Sequence, residues 1–222
     1  MSEKRLSPTD FSSKGQELIR MYAAMARDGY DRVDQKRVEV AFADFELRPY
    51  RDYVRSLFSQ HAVASVLDYG CGGSDWHSAG FDEATNLSAV ENFGLQSAYR
   101  YEPARGLDER QRVDCVLSFD VLEHIFIVDV PRVLRDIFSS ATKLVILNVA
   151  CYPAAAKLPN GENAHVTVRD PVWWKGMVDG VSVEFPDVAV CLICSTGWRQ
   201  SNAFPVWSAA LWQQGGTFVV DN

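Results

Sequence analysis

The chain has 222 residues, 47% hydrophobic and 23% charged, which is ordinary globular usage and excludes a largely disordered, collagenous or coiled-coil molecule. It carries 22 Lys and Arg against 29 Asp and Glu, a formal net charge of −7. That balance argues against nucleic acid or an anionic membrane as the main partner, because both need clustered cations.

Residues 1 to about 14 are polar and are expected to fray. Met1 to Pro8 lacks the apolar core of a signal peptide, and no apolar run reaches the roughly 20 residues that span a bilayer, so a cytoplasmic location is expected. From Lys14 to Asp28, residues Leu18, Ile19, Met21, Tyr22 and Met25 recur at helical spacing, and Gly29 stops the pattern. A second helix is expected from about Glu46 to Gln60, with Pro49 in its first turn. Both precede the first clear strand, so residues 1–61 read as an N-terminal helical cap on a domain of residues 62–222.

From residue 62 the pattern alternates. Val63 to Leu67, Ser97 to Tyr101, Val113 to Phe119 and Leu144 to Leu147 read as strands, with an irregular insertion from Trp76 to Asn92 and a helix from Val130 to Ser139. An amphipathic stretch follows near Pro171 to Val178, then a strand from Val188 to Cys194 and an apolar run from Val206 to Trp212. Strands alternating with helices imply an α/β fold, a mostly parallel sheet with helices on both faces.

The most informative segment is Val66-Leu67-Asp68-Tyr69-Gly70-Cys71-Gly72-Gly73. A buried strand ends and glycines follow at once, which permits a sharp turn and close approach of a ligand to the backbone. In open α/β sheets the first such turn is a favoured ligand position. Gly-x-Gly-Gly is neither the dinucleotide fingerprint nor a phosphate loop, and the carboxylate of Asp68 repels phosphate. It suits an ammonium group. Glu102 ends the next strand, where an acid can hold ribose hydroxyls. Asp120, Val121, Leu122, Glu123 and His124 follow the strand ending at Phe119, on the same rim.

Together these segments resemble the class I S-adenosylmethionine (SAM)-dependent methyltransferases. Val66 to Gly72 is similar to that family's first motif, Glu102 to its ribose-binding acid, and Asp120 to Ile125 to its segment after the fourth strand. The resemblance covers roughly residues 62–150 and implies a Rossmann-like fold with SAM as cofactor. Asp68, Gly70, Cys71, Gly72, Glu102, Asp120, Val121 and Leu122 would then hold it, and the amides of the glycine turn would meet its carboxylate. Gly73-Ser74-Asp75 departs from the family pattern, in which a third alternating glycine is common. Asn148 to Pro153, Leu158 to His165 and Trp173-Trp174 further resemble a group of bacterial and phage methyltransferase-like proteins.

Walls for the reaction are expected from Glu123-His124, the loop Asn148 to His165 and the aromatic C-terminus. Asn148 offers an amide, Tyr152 a hydroxyl and a ring face, His165 and His124 imidazoles near neutrality. The expected reaction is methyl transfer to a small molecule, releasing S-adenosylhomocysteine. The alternative, as in azetidine-2-carboxylic acid synthases, is cyclisation of SAM by its own amine, releasing methylthioadenosine. A third reading is a SAM-binding module without turnover.

The five cysteines are odd in number and scattered, which suggests reduced thiols, and the redox-spaced Cys191 and Cys194 lie within an apolar strand, which suggests a structural role. His61, His77, His124 and His165 show no paired ligand spacing, so no metal site is expected.

Overall fold

The structure, a computed structural model, describes residues 5–43, 45–198, 200–211 and 218–220. Helix α1 (Ser13–Asp28) begins where the Ser12 side chain accepts from the Gly15 amide, and ends at Gly29, whose φ of +78° suits glycine. Two short strands, β1 (Tyr30–Asp31) and β2 (Arg37–Val38), pair antiparallel. A 3-10 turn holding Pro49 leads into α2 (Arg51–Gln60).

The remaining elements are β3 (Ser65–Tyr69), α3 (Ala89–Phe93), β4 (Ser97–Glu102), β5 (Leu107–Asp108), β6 (Val113–Phe119), α4 (Val130–Ser140), β7 (Ala141–Ala150), α5 (Pro171–Ser182), β8 (Ala189–Gly197), β9 (Gln200–Ala203) and β10 (Phe218–Val220). The last eight strands form one sheet in the order β10-β9-β8-β7-β6-β3-β4-β5. Its five central strands, β4, β3, β6, β7 and β8, are parallel. The outer pairings are antiparallel.

The apolar runs explain the layers. Successive residues of a strand face opposite ways. Val66, Leu117, Leu144 and Ile146 therefore meet Val54, Leu57 and Phe58 of α2 and Ala89 of α3 on one face. Leu67, Val116, Val145 and Leu147 meet Val133, Leu134 and Ile137 of α4 and Trp174 and Val178 of α5 on the other. Helices cover both faces, as the alternation of elements implies. Cys191 and Cys194 fall on opposite faces of β8, and all five cysteines are free thiols.

Three segments differ from expectation. Residues 5–12 are packed rather than frayed: the Leu6 amide donates to Asp136, and Phe11 is buried in the main core. Helix α2 lies on the sheet, so only α1 and the segment to Leu47 stand at the rim. The insertion is anchored through its aromatics: Trp76 and Phe81 are fully buried against Phe45 and Phe93, which lie on either side of it in the chain. Of the run from Val206, Trp207 is buried and bridges Val190, whereas Trp212 lies outside the described residues. Among the described residues, no helix is long and apolar enough to cross a membrane.

From β3 the chain moves to β4 on one side and later returns to β6 on the other. The crevice at the carboxyl ends of β3 and β6 is therefore a topological switch point, where open α/β sheets bind ligands.

Candidate functional site

A cavity of about 440 Å³ occupies that crevice, a size within the ordinary range for small-molecule sites. Its floor comes from the strand ends. Asp68, Gly70, Cys71, Gly72, Glu102, Asp120 and Val121 all line it. Its outer wall comes from the N-terminal segment, with Leu18, Ile19 and Tyr22 of α1 followed by Tyr30 and Phe42, whose rings stack at 5.7 Å. The loop after β7 supplies Tyr152, Ala154 and His165.

The glycine turn brings its backbone against neighbours on both sides. A Cβ on Gly70 would stand 2.4 Å from Val121, and one on Gly72 would stand 2.9 Å from the Phe42 carbonyl. Both glycines have positive φ. The amides of the turn are spent within the chain. Gly70 and Cys71 donate to the Tyr101 carbonyl, Gly72 to Glu102 and Gly73 to the Phe42 carbonyl. The expectation that these amides meet a ligand carboxylate is thus corrected: the positive φ turns them back onto β4 and the N-terminal wall.

Asp68 is buried and accepts from Ser74 Oγ at 3.0 Å and Trp76 Nε1 at 2.9 Å, both on Oδ2. It braces the insertion while its other oxygen makes no such bond. Desolvation pushes its pKa up to about 6, against the two hydrogen bonds. Glu102 accepts from the amides of Gly72 and Ala104, one on each oxygen. A carboxylate has about four lone-pair sites, so each oxygen keeps one. Burial raises the Glu102 pKa, and Asp68 adds to the effect, which places the two acids on one side of the molecule.

The other pole of the cavity holds Asp120, His124 and His165. Asp120 has a left-handed backbone, φ +57°, uncommon for a residue other than glycine, and its amide donates to the Asn148 carbonyl. The His124 and His165 rings meet edge to face at 4.8 Å. His165 Nδ1 donates to the Tyr152 carbonyl and His124 Nδ1 donates to the Ala164 carbonyl, which also accepts from Tyr22 Oη. Burial, helped by His165, pushes the His124 pKa down to about 4. Beneath them Glu123 is fully buried; its Oε1 accepts from the Ala150 amide, and burial and Asp120 hold its pKa well above the usual carboxylate range. Asn163 braces the loop, accepting from the Ala154 and His165 amides and donating to the Ala154 carbonyl.

Two candidate residues stand elsewhere. Asn148 is not at a strand end, because β7 continues to Ala150. Its amide is buried in a network with Tyr50 and Ser195 rather than lining the cavity. Leu122 lies in a 3-10 turn that carries its side chain into the main core. Among the described residues, the expected aromatic wall from the C-terminus reduces to Trp198, since Trp173, Trp174 and Trp207 join the core; Trp212 lies outside the described residues. Tyr22 and Tyr30, which the sequence places where they could close over a cofactor, both line the cavity; sequence spacing missed Phe42 and Arg105 as lining residues, and missed the meeting of His124 with His165, which come from different loops.

The cavity is acidic overall. Glu46, Asp68, Glu102 and Asp120 line it, and Arg105, which donates to the Ala41 carbonyl, is the one lysine or arginine among the described lining residues. Comparison with family models, curated proteins and solved structures returns no match to this chain, so the functional reading rests on the geometry of this cavity.

Proposed function

We propose that the protein is a SAM-dependent methyltransferase of the class I, Rossmann-like type, acting on a small molecule. The observation that carries this reading is the convergence of the glycine turn, Asp68 and Glu102 in one acidic, aromatic-walled cavity at the switch point. The residues fit the nucleoside. The Gly70 and Gly72 positions have no room for a side chain. Glu102 keeps a lone pair on each oxygen for ribose hydroxyls, and Asp68 faces an ammonium group. The four lining carboxylates and the faces of Tyr30, Phe42 and Tyr152 favour a cation. SAM would supply an electrophilic methyl group. The chain's own work is to orient the acceptor and exclude water, which the N-terminal wall supports. The acceptor side is the pole where Tyr152 and the two imidazoles offer a hydroxyl and two lone pairs.

The test is incubation of the pure protein with SAM, following the adenosine product with and without candidate acceptors. S-adenosylhomocysteine that depends on acceptor supports methyl transfer. Methylthioadenosine formed without acceptor assigns the cyclisation reading instead, and tight binding with neither product assigns a binding module. Glu102→Ala is expected to weaken SAM binding by about 1–3 kcal/mol, the usual loss for charged hydrogen bonds. Unchanged affinity in calorimetry removes Glu102 from the site.

A further inference from the structure

We propose that Asp120, His124 and His165 form a binding site for one divalent transition-metal ion, open toward the cavity. One donor atom from each lies within 4.8 Å of the others. Metal–ligand bonds of about 2.0–2.2 Å in a tetrahedral site set ligand atoms roughly 3.3–3.6 Å apart, so the group closes by up to about 1.5 Å as the ion binds.

The tautomers point the same way. A carbonyl can only accept, so the Tyr152 carbonyl fixes the proton of His165 on Nδ1. At His124, Nδ1 meets the Ala164 carbonyl and the Tyr22 hydroxyl; that hydroxyl donates its own proton to the same carbonyl, so both partners accept and the proton again sits on Nδ1. The nitrogen with a lone pair to offer is therefore Nε2 in both rings. A backbone carbonyl on the far nitrogen is the usual support of a metal-binding histidine. It orients the ring and raises its basicity.

The buried polar groups beside the cluster are incompletely satisfied. Glu123, three residues along from Asp120, is fully buried, and its Oε2 lies within no hydrogen-bond geometry. Each histidine keeps an unprotonated Nε2. Arg105, the one lysine or arginine among the described lining residues, is drawn to the Ala41 carbonyl. A dication satisfies Asp120 and both imidazoles at once.

Two nitrogens and one carboxylate suit zinc, iron(II), manganese or cobalt, whereas magnesium and calcium prefer oxygen ligands throughout. Three protein ligands leave at least one coordination position free. Assigning that position to an oxygen of the methyl acceptor, a hydroxyl or carboxylate, rests on the SAM reading; the metal site does not.

The full chain is stripped with a chelator and titrated with Co2+ and Zn2+, with metal counted by elemental analysis and cobalt followed by visible absorption. One equivalent and a cobalt d–d band are expected. Asp120→Asn keeps a residue that tolerates φ +57°, and His165→Ala removes a ring without touching a strand. Each is expected to weaken binding by about 100-fold or more while retaining the native circular dichroism spectrum. Glu102→Gln is expected to bind metal like the wild type but to lose SAM. Substoichiometric metal, or equal affinity in wild type, Asp120→Asn and His165→Ala, overturns the site. If SAM binds and metal does not, only this inference fails; if metal binds and SAM does not, it stands and the cofactor reading fails.

Discussion

Asp68 is a carboxylate held in two roles. It braces Ser74 and Trp76, and it borders the cavity. Its pKa rises from an ordinary 3.8 to about 6 on folding. Between those values the folded chain holds more protons than the unfolded one, so this group makes stability fall as pH rises from about 4 to 6 and then level off. A rise of that size corresponds to roughly 3 kcal/mol. Asp68→Asn lacks the ionisation, so its stability relative to wild type should climb across that window, as read by urea unfolding at several pH values. A flat difference refutes the assignment. The sequence made Asp68 and Glu102 legible because both end strands that enter a turn. It misplaced Asn148 because an apolar run does not mark where a strand stops. It hid the His124–His165 pair because spacing rules detect ligands on one element, not on two loops that fold together.

Helix α1 is fixed to the body at its first turn. Ser12 accepts from the Gly15 amide, its hydroxyl donates to Asp129 at 2.6 Å, and its own amide donates to the same carboxylate. Asp129 is fully buried and precedes α4. The anchor matters because α1 carries Leu18, Ile19 and Tyr22 into the cavity wall. Ser12→Ala is expected to cost about 1 kcal/mol, the typical value of a lost cap. Amide exchange should then quicken in α1 and stay unchanged in β6 and β7. Equal acceleration in helix and strands would show that the cap supports the whole fold instead. At this scale the sequence was most legible. The helical spacing of residues 14–28 and the apolar run 113–119 gave their elements nearly to the residue, because each buries one continuous face or both faces. The insertion was not legible as a packed unit, since Trp76 and Phe81 find their partners in Phe45 and Phe93 from other segments.

Across the molecule, the N-terminus, β3, the β5–β6 connection and α4 meet at one buried guanidinium. Arg110 donates to Asp136 at 2.7 Å, to Asp108 at 2.6 Å and to the Leu6 carbonyl, and it lies 3.9 Å over the Tyr101 ring. Tyr69 and the Leu6 amide complete the bonds to Asp136. Removing one member of a buried pair strands the other, at about 3–5 kcal/mol. Arg110→Met should lose a stability of that order in denaturant unfolding, and Asp136→Leu added to it should recover part of the loss. Strict additivity of the two substitutions would show that the pair is not coupled. No local pattern announces this network, because its members span residues 6 to 136.

The indole of Trp76 donates to the same carboxylate that borders the cavity, and its ring is sealed from water. The chain therefore contains its own optical gauge of charge in the crevice: a cation settling against Asp68 alters the field across that indole and with it the fluorescence.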